Sequence, residues 1–285
     1  MPDLKIALVY FSATGVTAAY AGAITKKMTD LDCRVDQINI TSFDARQKPL
    51  PVCEYDAFIF GFPVFSDFAP IVVNDWLNLL NGCGKKCATF FTYGGRTTGY
   101  AHFHTGQILE KANFKVEFSA EFLGPHSFNI GGWTALSERP NEEDLNIAGE
   151  FADLAVERFS QPEPSGFKLQ KPFGYNQILE IRQKPPKKTE RGWTNPVRVD
   201  GECDLCRICE EECPSAAFNV DTGLSDIEKC IGCMHCVYIC PNHVIHIDAR
   251  MKDAYQNFLA DWNLTEAIMS AKKSKIITQP WQANC

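Results

Sequence analysis

The sequence predicts an α/β protein with a doubly wound, five-stranded parallel sheet, followed by a small α+β domain. Three observations support this prediction. Short apolar runs alternate with amphipathic segments over residues 1–160, a proline-rich stretch follows over 161–200, and eight of the 13 cysteines lie between Cys203 and Cys240. Strands buried on both faces form nearly continuous apolar runs, and strands that alternate with crossover helices build a parallel sheet.

The elements of the first domain follow one another in a regular order. The sequence predicts strands at 5–11, 34–40, 57–61, 88–92 and 115–122, and helices at 16–28, 71–80, 102–112 and 141–159. The last helix begins with Asn141, followed by three acidic residues. This pattern is typical of a helix N-terminus, where a side chain caps free N–H groups and acidic groups interact favourably with the helix dipole.

The composition is that of a folded protein and excludes several functional classes. With 45% hydrophobic and 22% charged residues, the chain is expected to form a core. A net charge of −7 argues against nucleic acid or an anionic membrane as a partner. The sequence has no run of eighteen apolar residues and no signal peptide at 1–10, so it predicts no membrane span and a cytoplasmic location.

Residues 161–200 are predicted to link the two domains. They contain proline clusters at 161–164 and 184–188, and eight Lys or Arg against four Asp or Glu. Proline fixes φ and removes a hydrogen-bond donor, which disfavours helix and central strand. The sequence therefore predicts domains at 1–160 and 201–250, and a C-terminal helix and tail at 251–285 with the helix near 252–271. Residues 175–182 are a candidate for packing on one of the domains.

An internal repeat carries eight of the cysteines. Each copy reads Cys-x2-Cys-x2-Cys-x3-Cys-Pro, and the second follows the first at an offset of 27 residues. Thiolates at this spacing surround three corners of a [4Fe–4S] cluster, and the fourth cysteine of each run ligates the other cluster. The predicted ligands of one cluster are Cys203, Cys206, Cys209 and Cys240, and those of the other are Cys230, Cys233, Cys236 and Cys213.

A single zinc ion is the alternative for these cysteines. Four-thiolate zinc sites use paired Cys-x2-Cys motifs with a longer gap between the pairs, a spacing that three cysteines in one run do not match. Over 201–250 the sequence resembles bacterial-type two-cluster ferredoxins. His235, inside the second run, is expected to be a neighbour of its cluster because the four cysteines already complete the ligand set. The remaining cysteines, expected to be small buried hydrophobic residues, are Cys33, Cys53, Cys83, Cys87 and Cys285.

A loop of small and hydroxyl residues connects the first strand to the first helix. It comprises Ser12, Ala13, Thr14, Gly15, Val16 and Thr17. Such a turn presents backbone N–H groups and hydroxyls to an anion at the positive end of a helix. The loop has neither the lysine of a Walker loop nor the glycines of a dinucleotide-binding fingerprint. An ordinary capped strand-to-helix turn is the alternative.

Two further loops leave the same edge of the predicted sheet, at 61–66 and 92–95. Ligands of doubly wound sheets bind beyond the carboxyl ends of the strands, at the switch point of strand order. With these three loops, residues 4–160 resemble flavodoxins. The resemblance implies that residues 12–17 hold the phosphate of FMN, and that the isoalloxazine ring is flanked by Pro63, Val64 and Phe65 on one side and by Thr92, Tyr93, Gly94 and Gly95 on the other. Either Phe65 or Tyr93 is a candidate to stack on the flavin.

The order of the two domains resembles that of flavodoxin–ferredoxin fusion proteins. The resemblance implies an electron carrier that holds FMN and two [4Fe–4S] clusters and exchanges one- and two-electron steps with redox partner proteins. The alternative is a flavin-dependent reductase of a small molecule bound over the FMN, supplied with electrons by the clusters. The candidate polar groups for such a site are Arg96, His102, His104 and His126. A redox-sensing module is a third, weaker hypothesis.

The expected partner surface is basic. A cluster held by four thiolates, together with Glu210, Glu211 and Glu212, makes the second domain negatively charged. An ordinary solvated face is the alternative for these glutamates.

Residues 161–195, if extended at ~3.1 Å each, would span roughly 100 Å. A homodimer with crossed-over domains is therefore also expected.

Overall fold

The parallel sheet predicted for the first domain is present in the computed structural model, which describes residues 4–183, 195–199 and 201–279. Its parallel strands are β1 (Lys5–Tyr10), β2 (Arg34–Asn39), β3 (Ala57–Pro63), β4 (Lys86–Tyr93) and β5 (Lys115–Leu123). They lie side by side in the order β5-β4-β3-β1-β2. This is the flavodoxin-like order, and it places the switch point between β1 and β3.

A sixth strand, β10 (Lys275–Ile277), extends the sheet beyond the five that the sequence predicts. It pairs antiparallel with β5, and Ile276 lies opposite Ala120. The expectation of a purely five-stranded sheet is therefore corrected at one edge. A strand of three residues carries too few alternations to be recognised from hydrophobic periodicity.

Helices cover both faces of this sheet. They are α1 (Val16–Asp30), α2 (Ile71–Leu77), α3 (Ala101–Lys111) and α4 (Glu142–Ser160). One apolar layer contains Tyr20 of α1 and Phe151 of α4, and the layer on the other face contains Trp76 of α2 and Leu109 of α3. The helix predicted after Asn141 is present, and Asn141 and Asp144 form a reciprocal capping box at its start.

The described part of the predicted linker lies along the first domain. Lys86 Nζ donates to the carbonyl oxygens of Arg158 and Gln161, and the backbone N–H of Ser165 donates to Glu117 at 2.8 Å. The helix α5 (Tyr175–Gln183) follows. Residues 184–194 and 200 lie outside the described residues, and the linker bounds stay a prediction.

The second domain reproduces the sequence repeat in its backbone. Helices α6 (Ile208–Glu211) and α7 (His235–Ile239) each follow a residue with left-handed φ, Arg207 at 64° and Met234 at 63°. Four two-residue strands form an antiparallel sheet in the order β7-β8-β6-β9. They are β6 (Val197–Arg198), β7 (Phe218–Asn219), β8 (Leu224–Ser225) and β9 (Ile245–His246). Matching elements at the repeat offset give the domain its two similar halves.

The C-terminal segment forms two helices where the sequence predicts one. These are α8 (Met251–Asp261) and α9 (Glu266–Ser270). Asn263, with φ of 48°, interrupts the helical path, and the Thr265 hydroxyl accepts a hydrogen bond from the N–H of Ile268 to start α9. Residues 280–285, including Cys285, lie outside the described residues. In the described ranges, no helix combines the length and the apolar character needed to cross a membrane.

Candidate functional site: a cavity at the switch point and two cysteine sets

The three predicted loops meet at one cavity beyond the carboxyl ends of β1, β3 and β4. The predicted cofactor-binding residues that line the cavity are Ser12, Ala13, Thr14, Val16, Thr17, Pro63, Val64, Phe65, Thr92, Tyr93 and Gly94. The other two, Gly15 and Gly95, have φ of 84° and 82° and shape the turns of their loops.

Part of a fourth loop at this cavity was not predicted from the sequence. Pro125 and Ser127 also line the cavity, beside the predicted candidate His126. They follow the carboxyl end of β5, which opens onto the same edge of the sheet as the other parallel strands. The edge rule that located the first three loops could therefore have located this one.

The start of α1 is built to receive an acceptor from outside the helix. Gly15 occupies the N-cap position and supplies no side-chain cap of its own. The loop itself is fixed from within: Ser12 Oγ accepts from the N–H of Ala18 at 3.0 Å, and the Thr17 and Thr92 hydroxyls lie 2.8 Å apart. The first amides of a helix lack intrahelical acceptors and favour an anion, so this loop fits a phosphate group.

The two candidate aromatic rings differ in accessibility. Phe65 is half-buried and meets Phe11 edge-on, with ring centroids 6.3 Å apart. Tyr93 is only 7% exposed and packs in an apolar cluster with Trp133. Burial raises the pKa of the Tyr93 hydroxyl well above its usual range. Phe65 therefore offers the more accessible ring to the cavity.

His126 is the predicted polar candidate that lines the cavity. Its ring stacks on Trp133 with centroids 4.6 Å apart, and its Nδ1 accepts from the N–H of Phe128 at 3.1 Å. Burial, and next the positive charge of Arg96, lower the pKa of His126 to about 4. The ring is therefore neutral at neutral pH, with its proton on Nε2.

Two other polar candidates are engaged away from the cavity lining. Arg96 forms an ion pair with Asp67, and its guanidinium lies 4.2 Å from the ring centroid of Trp262. His104 Nδ1 lies 2.7 Å from the Tyr175 hydroxyl, where it holds α5 against α3. These contacts give both residues roles in packing the segments that flank the site.

His102 is buried in the first domain within a polar network. Its Nδ1 lies 2.6 Å from Ser119 Oγ, and its Nε2 lies 3.6 Å from Glu121 Oε2. Burial lowers the pKa of His102. Burial raises the pKa of Glu121, but His102 and Lys275 outweigh this effect and hold it at about 2. The network joins β5 to β10 and lies away from the cavity lining.

The first predicted ligand set is brought together in the second domain. Cys203, Cys206, Cys209 and Cys240, hereafter the outer cysteine set, line one cavity. Burial, together with the negative charges of the other three, raises the pKa of Cys209 to about 11. Arg198 Nη1 lies 3.6 Å from Cys203 Sγ. Cys206 is exposed, so this set reaches the surface of the described chain.

The second predicted set is more deeply placed. Cys213, Cys230, Cys233 and Cys236, hereafter the inner cysteine set, are each at most 9% exposed. Burial, and next the charge of Cys230, raise the pKa of Cys233 to about 12. Four buried thiols need bound cations to become thiolates, because a coordinating metal deprotonates a thiol.

The donor chemistry of both sets fits a cluster of several atoms. Among the described residues, no three His, Cys, Asp or Glu side chains converge closely enough to share a single metal ion. An iron–sulfur cube holds its cysteines further apart than one tetrahedral ion does, so two sets of four thiols fit the donor chemistry of [4Fe–4S] clusters better than that of zinc.

The inner cysteine set lies against the predicted phosphate loop. His235 Nδ1 lies 2.7 Å from the carbonyl oxygen of Ala13. A Cβ atom at Gly15 would lie 2.6 Å from the Tyr238 hydroxyl oxygen. Cys233 belongs to the same apolar cluster as Ala13. His235 is thus a neighbour of the inner set, as expected, and it also docks the second domain onto the first.

Arg46 forms a second link between the domains, and this link was not predicted from the sequence. Its Nη2 donates to the carbonyl oxygen of Pro214, the residue after Cys213. Its Nη1 donates to the carbonyl oxygen of Ile40 at 2.7 Å. Burial lowers the pKa of Arg46, and the charges of Cys213 and Cys233 act in the opposite direction. A lone arginine in a loop gives no sequence signal for such a contact.

The C-terminal helices cover the β4 side of the cavity. Trp133 Nε1 donates to the carbonyl oxygen of Met251 at 3.0 Å. A Cβ atom at Gly95 would lie 2.9 Å from Met269 Cβ. The second domain therefore contacts the phosphate loop and α9 contacts the β4 loop, while the residues that line the cavity belong to the first domain.

The other cysteines divide into two groups. Cys33 and Cys87 are buried, as predicted, whereas Cys53 and Cys83 are exposed. The expectation of burial is therefore wrong for Cys53 and Cys83. Both lie in surface turns, which have no hydrophobic periodicity from which exposure could be predicted.

One family model and two curated relatives match parts of this chain. Residues 225–246 match the model of the 4Fe-4S binding domain. The chain is 29% identical over 99 residues to the thiosulfate reductase electron transfer subunit PhsB of Salmonella typhi, covering 33% of this chain and 51% of that protein. It is 45% identical over 47 residues to a subunit of the ion-translocating oxidoreductase complex of Methanosarcina acetivorans, covering 16% of this chain and 18% of that protein.

The chain spans about half, or less, of the length of these curated relatives. Among solved structures, a flavodoxin from the domain Archaea aligns with a TM-score of 0.41 and 18% identity, over 55% of this chain and 100% of that one. The strand order carries the fold assignment independently of this alignment. The chain thus combines a flavodoxin-like fold with a 4Fe-4S binding domain, as the sequence predicted.

Proposed function

We propose that this protein transfers electrons between an FMN in the cavity and two [4Fe–4S] clusters, and that it exchanges them with a redox partner protein. One observation carries the proposal: the inner cysteine set is docked on the loop that fits a phosphate, through the contact of His235 with Ala13. Two redox centres that share one wall within a chain are suited to passing electrons between them. The relative that is named as an electron transfer subunit supports the same general activity.

The FMN would be held by three loops and positioned by their internal contacts. FMN accepts one or two electrons and each cluster passes one, so the pair joins one- and two-electron chemistry. The amides at the start of α1 and the residues Ser12, Ala13, Thr14, Gly15, Val16 and Thr17 would bind the phosphate. Pro63, Val64 and Phe65 on one side, and Thr92, Tyr93, Gly94 and Gly95 on the other, would flank the ring and exclude water from it.

The two cysteine sets would each hold one cluster, in different surroundings. The outer set includes an exposed cysteine, Cys206, whereas the inner set is buried against the first domain. Electrons would therefore enter from a partner at the outer set, continue through the inner set and reach the flavin. The crossed ligation, with Cys240 in the outer set and Cys213 in the inner set, makes the two halves of the domain interdependent.

The partner would dock on an acidic face around the outer set. Glu211 and Glu212 are exposed, whereas Glu210 is held by Arg207 at 2.6 Å. Leu205, next to Cys206, is 52% exposed and provides an apolar contact. A partner with a basic surface complements this charge and would associate faster at low ionic strength.

The contacts between the two domains of one chain provide a route for electrons that needs no exchange of domains between chains. A homodimer with crossed-over domains stays an alternative arrangement, and sedimentation of a strict monomer would exclude it.

We also propose a cytoplasmic location, because both cysteine sets need thiols that a reducing compartment maintains. Cell fractionation tests that location directly.

A second candidate function is a flavin-dependent reductase of a small molecule. One observation favours it: His126 lines the cavity and is neutral, with a proton available on Nε2. The docking of the second domain favours the carrier instead, because it places the inner cysteine set against a loop that lines the cavity.

Anaerobic reconstitution of the full chain separates the two functions. The carrier predicts bound FMN, iron and sulfide for two clusters, and prompt flavin reduction by a reduced ferredoxin. NADH and NADPH, added in turn, should leave the flavin and cluster absorbance unchanged over the time in which reduced ferredoxin reduces the flavin. Rapid bleaching by a nicotinamide would favour the reductase, and a chain that retains neither FMN nor iron would exclude both proposals.

A further inference from the structure

A guanidinium group lies beside each cysteine set. Arg198 Nη1 lies 3.6 Å from Cys203 Sγ, next to the outer set. Arg46 donates to the carbonyl oxygen of Pro214, which follows Cys213 of the inner set. Arg198 belongs to the second domain, whereas Arg46 belongs to the first. The inner set therefore receives its positive neighbour from the domain on which it docks.

Arg46 is a buried charge held by neutral groups. It is 8% exposed. Within the described residues, its hydrogen-bond acceptors are the carbonyl oxygens of Ile40, Thr41, Ser42 and Pro214. Burying a guanidinium without an anionic partner is costly. The inner cysteine set, once it carries a cluster, supplies negative charge beside this guanidinium.

Arg198 is more exposed than Arg46 and is held differently. It is half-buried and donates from Nη1 to the carbonyl oxygen of Val220 at 2.5 Å as well as toward Cys203. Solvent screens a charge at the surface more than a charge in the interior. Of the two arginines, Arg46 should therefore have the stronger effect on its cluster.

A positive charge beside an iron–sulfur cluster favours the reduced state, because reduction adds one negative charge to the cluster. Net charge, hydrogen bonds to sulfur and solvent exposure are the properties that set cluster potentials. We infer that Arg46 raises the reduction potential of the cluster held by the inner set, and that Arg198 does so, more weakly, for the outer set. This inference rests on the proposed function, since it requires both clusters.

The position of Arg46 has a specific result for electron transfer. Arg46 belongs to the first domain. The reduction potential of the inner cluster is therefore highest when the two domains are docked. Undocking would lower that potential and weaken the driving force from the outer cluster to the inner one. Docking and electron transfer are thereby coupled through one side chain.

Redox titration of the reconstituted full chain, followed by electron paramagnetic resonance, tests this inference. The variants are R46Q and, as the matched change at the outer set, R198Q. We expect R46Q to lower the potential of one cluster and R198Q to lower the potential of the other by a smaller shift. R46K, which keeps the charge, should restore most of the lost potential.

Iron and sulfide contents measured beforehand separate the two possible failures. If the wild-type chain binds no clusters, the proposed function is wrong. If the wild type and variants bind two clusters but R46Q leaves both potentials unchanged, or shifts the same cluster as R198Q, the role of Arg46 is wrong and the proposed function stands. If R46Q does not retain iron, R46M provides the same test with an uncharged side chain of similar apolar bulk.

Discussion

His235 Nδ1 lies 2.7 Å from the carbonyl oxygen of Ala13, a residue 222 positions away in the chain. The contact joins a histidine next to Cys236 to the loop that begins α1. It fixes the inner cysteine set at the wall of the cavity. The distance that electrons travel between the two domains therefore depends on this docking contact as well as on the folds of the domains.

Replacing His235 by alanine should weaken docking while leaving both clusters in place. Loss of one buried hydrogen bond costs about 1 kcal/mol, so the equilibrium constant for docking should fall by roughly fivefold. We expect slower flavin reduction through the clusters in stopped-flow measurements. The control is His246→Ala, a change at an exposed histidine of the same domain. Equal rates in H235A and H246A would contradict the role of this contact.

Replacing Gly15 by alanine should weaken FMN binding. The residue has φ of 84°, and the new Cβ would lie 2.6 Å from the Tyr238 hydroxyl oxygen. The left-handed backbone costs alanine roughly 1–2 kcal/mol. A loop that relaxes to avoid this strain must return to it when FMN binds, which lowers the affinity by about tenfold, as measured by quenching of FMN fluorescence. Gly22→Ala in α1, where no atom lies within 4 Å of the new Cβ, is the control. It should leave FMN affinity unchanged and stabilise the helix slightly.

Single cysteine variants should reveal crossed ligation. Cys213→Ala should remove the cluster that Cys230, Cys233 and Cys236 hold, and Cys240→Ala should remove the other, because each fourth cysteine serves the opposite set. Iron should fall from about eight to about four atoms per chain in each case. The exposed Cys83 provides the control, and C83A should retain all the iron. Loss of the same cluster signal in electron paramagnetic resonance spectra of both C213A and C240A would contradict this assignment of the fourth ligands.

The stability of the apoprotein should fall on mild acidification because of His126. Burial and the charge of Arg96 lower its pKa to about 4. The unfolded chain protonates its histidine near pH 6.5, so the contribution is fully present above that pH and is lost between about pH 6.5 and pH 4. The slope is at most about 1.4 kcal/mol per pH unit. Chemical denaturation across this range should show a smaller slope for H126N than for H246N.

The site could be predicted where its chemistry is local in the sequence. The loop at 12–17 is one strand-to-helix turn. Each cysteine run is also a short motif, so its spacing alone identifies the cysteines as cluster ligands. Strand order then brings separate loops to one edge, so the predicted loops met at the cavity. The contribution of Pro125 follows from the same edge rule and was missed only because the loop after β5 lacks a recognisable motif.

Contacts between distant segments could not be predicted in this way. The carbonyl acceptors of Arg46 include Ile40 in the first domain and Pro214 in the second, and no periodicity relates those segments. The pairing of Ile276 with Ala120 is equally non-local. Such contacts arise from the docking of complete surfaces, which depends on shape and charge in three dimensions rather than on the spacing of residues along the chain.

The pairing of β10 with β5 makes the iron–sulfur domain an insertion within the first fold rather than an appendage at its end. Upstream, α5 is held by the contact between Tyr175 and His104; downstream, β10 belongs to the sheet. Two anchors keep the effective concentration of the inner cysteine set at the cavity higher than one flexible tether would. Exchange of this domain between two chains would require β10 to leave its sheet, which opposes a crossed-over dimer.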